Sequence, residues 1–333
     1  MVAQTSVTTT AITIDMTLFL EYLYRTYITA EPQSLYEPAN YMLSLGGKRL
    51  RPLVCLAACE LFGGKPEQAL PAAAAVEWFH NFTLVHDDVM DKAETRRGKD
   101  TVHCRYGINT AILSGDMMLV KAYQLLQNYP PELLSCLLDV FSRTAIQVCE
   151  GQQYDMDFET TIQVSMPDYL KMIALKTAVL LAASLQMGAI IAQAPTHDAQ
   201  HLYDFGWHIG VAFQLQDDIL DTYGTEQQTG KRVGGDILNN KKTCLLITAL
   251  EKADSPTKTE LHTWLDNQSL DNAEQKIAAV TAIFTRTNAL DAAQSLMNEH
   301  YQKALEHLHQ IAVPDQNKQT LRQLADDLMY RKT

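Results

Sequence analysis

The stretch Leu70–Asp91, LPAAAAVEWFHNFTLVHDDVMD, decides the fold. Apolar residues recur at spacings of three and four, Ala74, Val76, Phe79, Phe82 and Leu84 among them, which is the period of a helix buried on most sides. It ends in three aspartates, Asp87, Asp88 and Asp91. A second stretch repeats the design: Phe213–Asp221 reads FQLQDDILD and closes on Asp217, Asp218 and Asp221.

Working outward, the chain is rich in Ala, Leu, Met, Gln and Glu, side chains that lose little freedom in a helix, and period-two alternation is nearly absent. Helices are expected over about Leu70–Met90, Thr110–Gln127, Pro131–Gln153, Pro167–Gln193, Thr196–Leu220 and Lys241–Lys252, with two or three amphipathic ones after Pro256. The breakers Gly46-Gly47, Gly63-Gly64, Lys92–Asp100, Met166-Pro167 and Gly224–Asn240 mark the loops between them. Neither a linker nor a composition shift divides the chain, and no 20–50-residue repeat occurs. The expectation is an all-α, single-domain helical bundle around a central cavity, residues 1–333, with 254–333 as a peripheral helical region.

Composition narrows the function. Of 333 residues, 47% are apolar and 20% charged, enough for a large core and too apolar for disorder. A net charge of −12 argues against a nucleic-acid partner, whose phosphates must be neutralised by cations. The six cysteines show neither CxxC pairs nor zinc spacing and read as reduced, mostly buried thiols of a cytoplasmic protein. Met1–Thr10 is polar and lacks the pattern of a secretory signal. The most apolar run, Ala178–Ala192, is interrupted by Ser184, Gln186 and Gly188 and is shorter than the ~20 residues of a membrane span, so it reads as a core helix.

The two acidic motifs carry the chemistry. Residues four apart share a helix face, so Asp87 and Asp91, like Asp217 and Asp221, can point the same way and repel. One such motif also fits an acidic helix end facing water. Two, each followed by basic residues, call for a cation between the carboxylates. Oxygen-only donors favour Mg²⁺ over zinc, and Mg²⁺ commonly completes its shell with water and substrate phosphates. Cations suited to phosphate stand nearby: Lys48, Arg49 and Arg51 beside Gly46-Gly47, Arg96 and Arg97 after the first motif, and Lys231 and Lys241 after the second.

These residues resemble the trans-isoprenyl diphosphate synthases, the family of farnesyl and geranylgeranyl diphosphate synthases. The likeness runs through GGKRLRP (Gly46–Pro52), LVHDDVMD (Leu84–Asp91), Arg96-Arg97-Gly98, Tyr106-Gly107, Ser114-Gly115-Asp116, Glu150-Gly151-Gln152, Lys176-Thr177, FQLQDDILD and GKRVGGD (Gly230–Asp236), as far as Asn239–Thr243, and weakens at both ends. It implies head-to-tail transfer, an allylic diphosphate extended by isopentenyl diphosphate. By the same resemblance Asp87, Asp91 and Asp217 hold three Mg²⁺ ions, with Asp88, Asp218 and Asp221 completing the metal set. Arg96, Lys176, Lys241 and Lys231 match contacts to the allylic diphosphate, and Lys48, Arg51, His80 and Arg97 match the isopentenyl diphosphate site. His80 also reads as a hydrogen-bonded core residue. Thr177 and Gln214 match dipoles that steady an allylic cation without attacking it, in a cavity that must be dry. The family implies a homodimer, and the apolar segment Thr110–Leu126 is a plausible contact.

Product length would be set by the helix leading into the first motif. Phe82, five residues before Asp87, makes a floor about 7–8 Å below the metal site at ~1.5 Å per residue, with Thr83 and Phe79 beside it. It also reads as a core residue facing another helix. With one aromatic at that place and no insertion inside DDVMD, the string His80–Asp88 is similar to the archaeal geranylgeranyl type and departs from the bacterial farnesyl type, so twenty carbons are expected and fifteen next. Two rivals use the same features: a terpene cyclase, which has no need of Lys48, Arg51 and Arg97, and a non-catalytic subunit of a heteromeric synthase, which could dispense with an acidic motif.

Overall fold

The computed structural model describes residues 16–225, 233–266 and 272–329. Short helices α1 (Met16–Arg25), α2 (Gln33–Ser44) and α3 (Leu50–Leu61) precede the long α4 (Pro66–Met90). Pro66 begins α4 where a missing N–H costs nothing, and Gln68 Oε1 accepts the Lys65 N–H at 2.8 Å. Ala72–Ala75 and Val76 are all buried, and these small side chains let α4 pack closely between α3 and α6 (Ile108–Leu126). Trp78 and Phe79 fill the space beyond, Trp78 turning its indole N–H to Thr26 Oγ1 at 2.8 Å.

Lys92–Asp100, expected as a loop, contains a small hairpin after α4. Strand β1 (Thr95–Arg96) pairs antiparallel with β2 (Lys99–Asp100). Arg97 and Gly98 have φ of 54° and 71°, the doubly left-handed turn that suits a two-residue hairpin. Two-residue strands are too short to leave an alternation in the sequence. Helix α5 (Val102–Tyr106) then leads into α6, and α7 (Pro131–Thr160) runs about two turns beyond its expected end.

The expected helix over Pro167–Gln193 is real but not uniform. α8 (Met166–Ile173) and α9 (Val179–Ile191) are joined by one π-helical turn, Ala174–Ala178. α9 is apolar around its circumference and buried almost throughout, in the centre of the molecule against α3, α4, α7 and α10 (Thr196–Tyr223). Among the described residues only Met166–Ile191 is long and apolar enough to cross a membrane, and most of it is buried in the protein core.

The chain continues through α11 (Gly235–Leu238), α12 (Cys244–Lys252), α13 (Ser255–Asp266), α14 (Ala273–Arg286), α15 (Ala289–Gln310) and α16 (Asp315–Met329). α15 lies along α10, burying Ala293, Met297, Ala304 and Leu308. Of the cysteines, Cys55, Cys59 and Cys244 are buried, whereas Cys104, Cys136 and Cys149 are exposed, more than the sequence suggested, because they fall on outward positions of α5 and α7. α6 has an exposed apolar side: Ile108, Ile112, Leu113 and Val120 are 42–67% exposed, with Ile146 of α7 at 61%.

Candidate active site

The acidic motifs occupy the C-terminal ends of α4 and α10. Asp87 is pushed up to about 6, first by burial, with Lys176 opposing and Asp91 adding to the rise. Asp218 is pushed up to about 7 by burial and by Asp236, against hydrogen bonds from Tyr169 and Gln214. Two carboxylates so disfavoured as anions need positive charge. Lys241 ties the clusters to one space: burial opposes its charge, but Asp155, Asp236, Asp91 of α4 and Asp218 of α10 together raise its pKa.

The six aspartates are not equivalent. Asp88 is buried and turned onto Arg96, whose Nε donates to both carboxylate oxygens at 3.0 and 2.8 Å and whose Nη2 donates at 2.7 Å. The pair fixes the hairpin against α4 and leaves the other edge of the guanidinium for a ligand. Asp221 accepts the Asp236 N–H at 2.8 Å through its carboxylate and the Gly234 N–H at 2.6 Å through its carbonyl, holding the start of α11 against α10. Asp217 is half-buried one residue before Asp218.

Between the clusters runs the π turn. It projects Lys176 to Asp155 of α7 at 2.6 Å, and Thr177 to Gln214 of α10, whose Oε1 accepts the Thr177 hydroxyl at 3.2 Å. Gln214 Nε2 in turn donates to Asp218 at 3.1 Å, and the Tyr169 hydroxyl donates to the other oxygen of that carboxylate. A π turn adds a residue to the helical count and re-aims the side chains on the turns after it, and such turns recur at functional sites. Gly151 of α7 makes room for it: a Cβ there would lie 2.2 Å from the Lys176 backbone nitrogen and 2.6 Å from the Leu175 carbonyl carbon. Both polar atoms of the neighbouring Gln152 side chain are buried without a partner.

A second charged group gathers at the start of α3. Gly46, Gly47 and Arg49 are all left-handed, with φ of 79°, 121° and 49°. The φ of 121° at position 47 suits glycine alone, and the absent side chain lets the Arg97 guanidinium come within 2.7–3.1 Å of where a Cβ would be and donate to the Gly46 carbonyl. Arg49 is neutralised by buried Glu77, which also accepts from Asn81 Nδ2 at 2.7 Å. Arg51 and Arg97 differ: among the described residues neither has a carboxylate within ion-pair distance, and Arg51 Nε is buried without a partner. Arg51 Nη1 meets His80 Nε2 at 3.3 Å. Burial, then Arg51, Arg97, Arg96 and Arg49, holds the His80 pKa well below the usual imidazole range, so the ring is neutral. Lys48 is exposed beside this group, and Lys231 lies outside the described residues.

Cations left without counter-charges on one side and carboxylates strained toward protonation on the other form a site built for a negatively charged ligand and a metal. The polyprenyl synthetase model matches residues 32–284, and the geranylgeranyl diphosphate synthase of Sulfolobus acidocaldarius is 40% identical over 294 residues, 87% of this chain and 88% of that protein. The chain belongs to the polyprenyl synthetase family. It is a short-chain trans-prenyltransferase, an isoprenyl diphosphate synthase. Other relatives carry neighbouring names: a geranylgeranyl diphosphate synthase of Methanosarcina mazei at 38% identity, covering 90% of this chain and 91% of its own, and a geranylfarnesyl diphosphate synthase of Aeropyrum pernix at 34%, covering 94% and 99%. A crystal structure of a geranylgeranyl pyrophosphate synthase superimposes with a TM-score of 0.92 at 44% identity, over 96% of this chain and 98% of that one.

Prenyl synthases of this family depend on Mg²⁺. The carboxylates gathered here fit that ion: the two motifs offer oxygen donors without imidazole or thiolate, and two of them are pushed well up in pKa. In the candidate product wall, Phe82 is buried and packs edge-on to His86 at 4.8 Å and tilted on Phe79 at 5.5 Å. Phe79 continues to Phe141 of α7, and Phe141 to Tyr123 of α6, so an aromatic chain closes the space between α4, α6 and α7. His86 Nε2 lies 3.0 Å from the Ile112 carbonyl of α6, and Thr83 spends its hydroxyl on the His80 carbonyl at 2.8 Å.

Glu77, Asn81, Asp155, Tyr169 and Asp236 escaped the sequence reading. Asp236 closes the quoted GKRVGGD motif and Asp155 follows Glu150-Gly151-Gln152 by three residues, so both had a local signal. Tyr169 had none, because its partner Asp218 is 49 residues away.

Proposed function

We propose that this synthase extends an allylic diphosphate with isopentenyl diphosphate and releases geranylgeranyl diphosphate, with farnesyl diphosphate the next product in rank. The observation that carries this reading is the pair of guanidiniums, Arg51 and Arg97, around neutral His80, neither of them ion-paired to the acidic clusters. A site for one diphosphate at the metals and another at this cationic group is what a two-substrate condensation needs. A cyclase needs only the first.

Asp87, Asp91 and Asp217 would hold Mg²⁺, three ions by family resemblance, with Asp88, Asp218 and Asp221 supporting them. When bound, Mg²⁺ supplies Lewis-acid assistance to departure of the diphosphate. Lys176, Lys241, the free edge of Arg96 and Lys231 grip that leaving group and stabilise the charge it gains. Lys48, Arg51, His80 and Arg97 hold isopentenyl diphosphate so that its double bond faces the carbon losing oxygen. The Thr177–Gln214 pair turns dipoles toward the allylic cation. One carbon–oxygen bond breaks, one carbon–carbon bond forms, and the proton released from the isopentenyl carbon goes to the departing diphosphate. Phe82, backed by Phe79 and with Thr83 beside it, is the floor that stops growth at twenty carbons, in keeping with the names of the Sulfolobus acidocaldarius and Methanosarcina mazei relatives.

We further take the chain as one domain, with residues 254–333 as its outer helical region, acting as a homodimer. The exposed apolar side of α6 supports the pairing, since a dimer would cover it. Six free thiols and the net charge of −12 support a cytoplasmic enzyme without nucleic-acid partners. The test is to incubate the purified protein and Mg²⁺ with isopentenyl diphosphate and dimethylallyl, geranyl or farnesyl diphosphate, and to identify products by chromatography and mass. A C20 diphosphate is expected; a C15 end product corrects the length, and cyclic hydrocarbon or no turnover overturns the reading.

A further inference from the structure

Away from the carboxylates, α10 and α15 face each other with histidines. On α10, His201, Asp204 and His208 stand at i, i+3 and i+7, one face of the helix; on α15, His300 and His307 do the same at i and i+7. His201 Nδ1 lies 3.1 Å from His307 Nδ1, and Asp204 Oδ2 lies 3.8 Å from the same nitrogen. One ligand atom from each of the three falls within 4.8 Å of the others, and all three side chains are half-buried, open to solvent on one side.

Two imidazole nitrogens aimed at each other leave one proton to share between two acceptors, and a carboxylate beside them adds negative charge. A tetrahedral zinc ion with bonds of about 2.0–2.2 Å places its ligand atoms about 3.3–3.5 Å apart, which these side chains reach by small rotations. The donors also separate this place from the catalytic one. Imidazole with one carboxylate suits zinc, whereas the oxygen-only cluster suits magnesium. Neighbouring rings hold His307 in orientation: it stacks on His208 at 5.6 Å and 19°, and His208 Nδ1 is in turn 2.9 Å from His300 Nδ1. The nearby cation Lys303 is paired with Glu299 at 2.6 Å. Asp204 precedes Asp217 by thirteen residues of continuous helix, about 20 Å at ~1.5 Å per residue, so the two places cannot share an ion.

We infer that His201, Asp204 and His307 form a zinc site that staples α15 to α10, the helix carrying the second acidic cluster. The site binds the folded state alone and therefore stabilises it by mass action.

The experiment titrates Zn²⁺ into the chelator-stripped full chain in saturating Mg²⁺, which occupies the aspartates, and measures bound zinc by equilibrium dialysis and the shift in melting temperature. Expected are one zinc per chain that Mg²⁺ does not displace and a raised melting temperature. His307→Gln and His201→Gln should each weaken zinc binding ~10-fold or more and abolish the shift, while His262→Gln, an exposed histidine on α13, changes nothing. Should a variant fold poorly, Co²⁺ in the wild-type chain gives visible absorption bands that report nitrogen ligation directly. No zinc beyond what Mg²⁺ displaces, equal binding by wild type and His307→Gln, or cobalt bands without nitrogen ligation would each overturn the inference. None of these readouts uses prenyl transfer, so the site stands or falls apart from the proposed reaction.

Discussion

Replacing Gly151 with alanine tests the link between helix packing and the reacting groups. The new Cβ would sit 2.2 Å from the Lys176 nitrogen and 2.7 Å from its Cα, and both obstacles are backbone, which cannot rotate away. Reaching the 3.4 Å of ordinary contact requires α7 and the π turn to part by about 1.2 Å. Overpacking of this kind costs about 1–3 kcal/mol, and here the upper end applies because neither wall is a flexible side chain. Alanine returns about 1 kcal/mol in helix propensity, so the net loss is about 2 kcal/mol. The displacement falls on Lys176 and Thr177, and a shift near 1 Å in groups that position reactants costs ~10²-fold in rate. Urea unfolding gives the first quantity and steady-state kcat/KM the second. Wild-type stability, or lost stability with unchanged kcat/KM in the folded fraction, would refute the argument that Gly151 sets the place of Lys176.

Phe82→Ala should lengthen the product by one or more five-carbon units, read by mass analysis of hydrolysed products; an unchanged spectrum in a folded variant removes Phe82 from the role of floor. Arg51→Gln deletes a charged contact worth about 1.5–3 kcal/mol and should raise KM for isopentenyl diphosphate roughly 10–150-fold while leaving KM for the allylic substrate within about twofold; equal rises in both would misplace the second diphosphate. Tyr169→Phe takes a hydroxyl donor from Asp218 and should raise the Mg²⁺ concentration for half-maximal rate several-fold, measured by metal titration at fixed substrate. For pH, His80 is held neutral in the folded chain but takes a proton below about 6.5 when unfolded, so as pH falls through that range the unfolded state binds more protons and stability drops. Its slope is at most about 1.36 kcal/mol per pH unit, and His80→Gln should flatten urea midpoints between pH 7.5 and 5.5; a midpoint series no flatter than wild type would show that His80 is not buried neutral.

What the sequence disclosed was what lies close along the chain. DDVMD and DDILD place their carboxylates by helical spacing alone, and GGKRLRP gathers cations within seven residues, so both sides of the site were legible without coordinates. Pairings across long separations were not. Nothing near Arg49 indicates that Glu77 neutralises it, and so only the family resemblance, not the local sequence, told Arg49 from Arg51, which alone of the two lacks a carboxylate. Arg96 read as a free cation, yet Asp88 holds one edge of it. The π turn was hidden because ALKTA differs from an α-helical segment only in how Gly151, on another helix, shapes the space around it. The Arg97-Gly98 hairpin was passed over because strands this short carry no period.

The π turn also bears on how the enzyme tolerates change. Met166–Ile191 behaves as two screws on one shaft, cut a fraction of a turn out of phase, with Tyr169 keyed to one thread and the buried apolar face of α9 to the other. Deleting one residue between 174 and 178 would remove the extra residue of the π turn and let both halves keep their places, whereas inserting one would turn the α8 half by about 100° and carry Tyr169 off Asp218 while the central helix stayed seated. One residue fewer is what this segment absorbs; one more is what it cannot.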